Sequence, residues 1–216
     1  MELLEVAKTA LLYSFVVMVV GSAWRLIGIL LHKDKPDHSI ARQSGGYKAA
    51  LKVIWTRSLG APDFKKENVH LKTLGYSMHI GLFTSILFSR GHIEDWSAFL
   101  GFGWPGLPNV AIYVIAGLTV AILLIMLYRR LTHPVLKLIS NFDDYMSWFV
   151  TVLPLLTGLA IPIGFGLAED TLIAIHLLSV ALLMLWFPFG KLAHAYMIFV
   201  SRGKTGMILE RRGART

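Results

Sequence analysis

The chain has 216 residues, 55% of them hydrophobic, and a formal net charge of +8. A soluble domain of this length has too little interior to hide that much apolar surface. It has no cysteine, which excludes disulfides, thiolate zinc sites, cysteine-ligated iron–sulfur clusters and CxxCH haem attachment.

The apolar residues come in long blocks, and a bilayer core takes about 20 of them per helix. The first block, 9–31, follows MELLEVAK. That start is acidic and no small-residue cleavage site follows it, so it predicts a span rather than a signal peptide. Residues 32–70 predict a cytoplasmic loop, and GGYKAALKVIWTRSL within it predicts an amphipathic helix on the cytoplasmic membrane face. A second span is expected over 71–92 and a third, uniformly apolar, over 107–128. The fourth, 145–167, contains Pro154 and Pro162, which a membrane helix tolerates where neighbours satisfy the freed carbonyls. The fifth runs over 172–200 as one helix. The expectation is therefore an all-α integral membrane bundle of five transmembrane helices in a single domain, 1–216. No internal repeat, P-loop, nucleophile elbow or HExxH is present.

A basic chain raises the question of nucleic acid, but the distribution of charge argues against it. Of 21 Lys and Arg, nine lie from Lys33 to Lys72, three from Arg129 to Lys137 and five after Val200. The opposite connections hold only Arg90. This is the positive-inside pattern, with the N-terminus outside and the C-terminus cytoplasmic. Anionic membrane lipid and a cytoplasmic partner are secondary readings of the same charge.

Ionisable residues inside spans are costly and usually functional. His32, His38, His70 and His133 fall at span ends or in loops and read as solvated. His79 and His92 fall in the second span, and His176 and His194 in the fifth. The last two are 18 residues apart, five turns, so on one helix they share a direction about 27 Å apart. Antiparallel running matches His79 with His194 near the cytoplasm and His92 with His176 towards the outside. Two such pairs suit two axially ligated b-type haems, held without covalent attachment. The plainer alternative is interhelical hydrogen bonding. Arg25 and Lys191 lie at the depth of the inner pair and are candidates for haem propionates, with snorkelling as the alternative for Lys191. Arg90 is the candidate cation for the outer one.

At these residues the sequence resembles the cytochrome b (gamma) subunit family of respiratory nitrate reductase and related anaerobic membrane electron-transfer complexes. The likeness rests on the five blocks, the HIGLF of the second span and HLLSVALLMLWFPFGKLAH followed by a basic tail. It implies two haems, a site for menaquinone or ubiquinone beside the outer haem, and an iron–sulfur partner on the cytoplasmic face. Where the family places its second histidine of the second span, this chain has Ser89, and His92 is the nearby replacement. The family's lysine early in the third span has no match in LPNVAIYV.

The chain thus reads as a membrane-anchoring electron-transfer subunit in a prokaryotic inner membrane, with one or two bis-histidine haems, and not a complete enzyme alone. Glu94, Asp95, Glu169, Asp170 and His92 are its candidate proton acceptors on the outer side. The alternatives are a transporter or assembly subunit with structural histidines, and a haem relay to a soluble cytochrome without a quinone site.

Overall fold

The computed structural model describes residues 2–32, 40–59 and 69–214. His38, parts of the basic loop and the last two residues lie outside these. The described residues are helical, without strands. They comprise α1 (Glu2–Leu31), α2 (Tyr47–Leu59), α3 (Val69–Phe88), α4 (Arg90–Leu100), α5 (Asn109–Thr132), α6 (Pro134–Ile139), α7 (Phe142–Ala160), α8 (Glu169–Trp186) and α9 (His194–Arg211).

Four segments are long and apolar enough to cross a membrane: Glu2–Leu31, Asn109–Thr132, Phe142–Ile163 and Glu169–Trp186. Their outward residues are apolar as well, among them Leu12, Tyr13, Val20, Val110, Leu118 and Leu124. Only an apolar solvent favours that arrangement, which is consistent with a multi-pass membrane protein.

Among the described residues four segments rather than the five expected qualify by length and apolarity, and two of the expected spans are interrupted. The second expected span, 71–92, is interrupted at Ser89, whose backbone is extended at φ −71° and ψ 133°. Its helix, α3, also carries Lys72 and two histidines, His70 and His79, which make it less apolar than the other four. The fifth expected span is interrupted after Trp186. The sequence there is Phe187-Pro188-Phe189-Gly190, and a proline disfavours helix at the residue before it. The chain resumes with a short 3-10 turn, Lys191–Ala193, and then α9. His176 and His194 therefore do not share a helix, and neither do His79 and His92.

The chain divides into two compact units. The first comprises residues 1–18 and 70–186, the second 19–69 and 187–216. In the first, α7 packs against both α5 and α8. Ala116, Leu123, Val152 and Leu155 form its core, closed by Met78, Leu82, Trp148 and Leu159. Thr119 meets α3 at Gly81, where a Cβ would collide with the Thr119 hydroxyl. The start of α7 is fixed by a capping box between Asn141 and Asp144. Asp144 also pairs with Arg130 at 2.9 Å, tying the end of α5 to this corner.

In the second unit α2 lies along α9. Ala49, Ala50 and Val53 are buried there. The contact is close because α9 presents glycine: a Cβ on Gly206 would sit 2.5 Å from the Ala49 carbonyl oxygen. Both ends are tied, Gly46 N–H donating to Glu210 Oε2 at 3.0 Å and Arg202 to the Ser58 hydroxyl at 2.7 Å. The two basic cytoplasmic segments expected from charge are thus one packed pair.

This packing makes Gly206 the residue the second unit tolerates least. Gly206→Leu forces backbone apart and is expected to cost about 1–3 kcal/mol. Gly117→Ala, with nothing within 4 Å of its Cβ, is expected to be neutral or slightly stabilising. Thermal melting of the two variants in detergent measures the contrast. Equal melting temperatures would mean α2 and α9 do not pack as described.

Candidate functional site

A neutral imidazole has one N–H and one lone pair, and which nitrogen carries which depends on the partners it is given. His79 lies in the middle of α3, with Nδ1 2.7 Å from the Gly75 carbonyl oxygen. His194 opens α9, with Nδ1 2.8 Å from the Lys191 carbonyl oxygen. His92 sits on α4, with Nδ1 3.2 Å and 3.1 Å from the Ser85 and Ile86 carbonyl oxygens. A carbonyl only accepts, so in all three rings Nδ1 carries the proton and donates.

The fourth ring meets hydroxyls instead. His176 Nδ1 is 3.1 Å from Thr157 Oγ1. Thr157 has one proton, with the Leu153 carbonyl at 3.0 Å, the Pro154 carbonyl at 3.2 Å and Ser179 Oγ at 2.9 Å as acceptors. Ser179 donates its own proton to the His176 carbonyl at 2.6 Å. When Thr157 donates along its own helix, its oxygen accepts from the His176 Nδ1–H. At His176 the Thr157 hydroxyl thus serves either tautomer. The other three of the four histidines, His79, His92 and His194, hold Nδ1 as donor, which in the neutral ring makes Nε2 the lone-pair nitrogen. Metal-binding histidines characteristically have the other ring N–H anchored in this way.

The outer pair is brought together within the first unit. The rings of His92 and His176 are 5.9 Å apart at their centres, with planes inclined by 7°. The two rings are therefore near-parallel neighbours. Both side chains are half-buried. The ring of His176 needs the space left by Gly158, where a Cβ would come within 3.2 Å of its Cε1.

His92 holds this position although α3 ends before it. The last four carbonyls of a helix lack internal partners, and in α3 each has one. Ser85 and Ile86 receive the His92 ring, Leu87 receives Trp104 Nε1 at 2.7 Å, and Phe88 receives the Leu107 N–H at 3.0 Å. His92 is thus both a cap for α3 and a neighbour of His176.

The inner pair is distributed otherwise: His79 belongs to the first unit and His194 to the second. Arg25 donates to the Pro188 carbonyl oxygen, so it supports the interrupted chain. Pro188 itself is fully buried, and Gly21, one turn before Arg25, clears its ring, since a Cβ there would lie 2.9 Å from Pro188 Cβ. Lys191 is exposed at the 3-10 turn. Arg90 is exposed at the start of α4, beside Gly106. Glu94, Asp95, Glu169 and Asp170 are exposed on α4 and the first turn of α8. Among the described residues no three or more His, Cys, Asp or Glu side chains gather. A metal held by His92 and His176 therefore requires a group that brings its own remaining ligands.

Sequence reasoning missed Thr157 and Ser179. Their signal was a hydroxyl in each of two adjacent apolar helices, in LLTGL and LLSVA. No family model matches this chain, and no solved structure matches it. A protein of Nitratidesulfovibrio vulgaris is 28% identical over 196 residues, which cover 90% of this chain and 83% of that protein.

Proposed function

We propose that the chain is an integral b-type cytochrome of a prokaryotic inner membrane, carrying electrons between membrane quinone and a cytoplasmic iron–sulfur partner. The observation that carries this reading is that His92 and His176 come together within the first unit, with His79, His92 and His194 each directing Nδ1 at a carbonyl oxygen. His92 and His176 would hold haem through imidazole nitrogen, a donor that suits haem iron. Bound haem supplies one-electron chemistry at its iron. The residues of this chain hold it, set the ring tautomers and keep water away.

In this reading α3 is the fifth span. It has 20 residues, about 30 Å of helix, and the residues that lower its hydropathy include His79, which the haem employs. Five crossings place the N-terminus outside and the α2–α9 pair in the cytoplasm, as the basic residues favour. His79 in the first unit and His194 in the second are each proposed as a haem ligand. Ser22 and Tyr196 in the second unit have buried hydroxyls without partners, and haem propionates supply acceptors for such groups. Lys191 and the remaining guanidinium donors of Arg25 are cations for the same propionates, and Arg90 is one for the outer haem. Chemistry on a terminal substrate belongs to the partner.

One observation favours a second reading. His92 closes the end of α3, and a histidine that only fastens helices together needs no iron. Paired substitutions separate the two. His92→Ala and His176→Ala are each expected to abolish the same haem absorbance and leave the other haem. Where His176 binds iron through Nε2, Thr157→Val removes the acceptor on its Nδ1–H, which makes the imidazole a poorer donor to ferric iron. The haem is then retained, and its midpoint potential rises by tens of millivolts in a redox titration. Unchanged spectra in both alanine variants would leave His92 and His176 as helix fasteners.

A further inference from the structure

The face of α2 turned away from α9 is not polar. Tyr47, Leu51 and Trp55 recur every fourth residue and are 85%, 67% and 70% exposed. Successive members of such a series advance by about 40°, so the three form one stripe along the helix. Lys48 and Lys52, both exposed, run along one edge of it. No acidic residue occurs between Tyr47 and Leu59. The opposite face, Ala49, Ala50 and Val53, is already used against α9.

We propose that this stripe lies in the headgroup layer of the membrane, with Leu51 at the acyl boundary and Lys48 and Lys52 on anionic lipid phosphates. Tyrosine and tryptophan favour that layer because each pairs an apolar ring with a polar atom. Lysines at the edge of an apolar stripe extend along it and keep the ammonium at the phosphates. A positive, acid-free helix complements an anionic leaflet, and each lysine near such a surface favours binding. A candidate span, α1, ends at Leu31 and feeds the segment that leads to α2. A polar protein partner would leave the stripe's apolar rings without an apolar contact. The iron–sulfur partner of the proposed function then meets the pair elsewhere, although the lipid contact does not depend on any haem.

The absence of cysteine allows a direct test. Leu51→Cys carries a nitroxide on the full chain, reconstituted in bilayers of phosphatidylcholine with a minority of phosphatidylglycerol. Gln43→Cys, in the exposed segment before α2, is the aqueous control. The Leu51 label is expected to relax faster with oxygen, which concentrates in lipid, than with a water-soluble nickel chelate. The Gln43 label should show the reverse. Adding Lys48→Ala and Lys52→Ala should move the Leu51 label towards water in the anionic bilayer. A Leu51 label as open to the nickel chelate as Gln43 would overturn the proposal. So would one shielded from both reagents, because it would place protein rather than lipid on the stripe.

Discussion

The structure depends on how imidazole is kept in the apolar helices α3 and α8, where His79 and His176 lie, while His92 sits on the shorter α4 and His194 is exposed at the start of α9. A histidine taken from water into such surroundings must satisfy an N–H and must stay neutral, since charging it there is costly. Here Nδ1 is given a partner in each case. His79 and His194 use carbonyls of the preceding turn, His92 uses carbonyls of the neighbouring helix end, and His176 uses a threonine on α7.

The helix interruptions serve the same arrangement. A break inside a membrane leaves carbonyls that lipid cannot satisfy. At the end of α3 they are taken by His92, Trp104 and the chain that returns at Leu107. Near Pro188 the α1 helix supplies both what the break requires: Gly21 for the proline ring and Arg25 for its carbonyl. The break after Trp186 ends α8 before the chain resumes as α9 at His194, and the one at Ser89 lets His92 turn back towards the end of α3. Neither is a defect in a straight span. Each puts a histidine where continuous helix would not.

Much of this was legible from residue order. Long apolar blocks and the histidines near them are local features, and the structure places four of the blocks in helices long and apolar enough to cross a membrane. The breaks were legible too, in Phe-Pro-Phe-Gly and in Ser-Arg-Gly-His, yet runs of leucine and phenylalanine on either side outweighed them as a periodic signal. Arg25 looked like a cofactor cation because depth was all that sequence offered. Its engagement with Pro188 depends on a contact between residues 163 positions apart. Thr157 escaped notice for the same reason: threonine in a span has little meaning until the residue opposite it is known.

The central claim is that these histidines hold iron, and haem content tests it most directly. The full chain, purified from membranes that make haem, is converted to its pyridine haemochrome and the haem is compared with protein by amino-acid analysis. The account predicts b-type haem, extractable by acid–acetone because nothing links it covalently, at two per chain. A folded chain that carries no haem would contradict it.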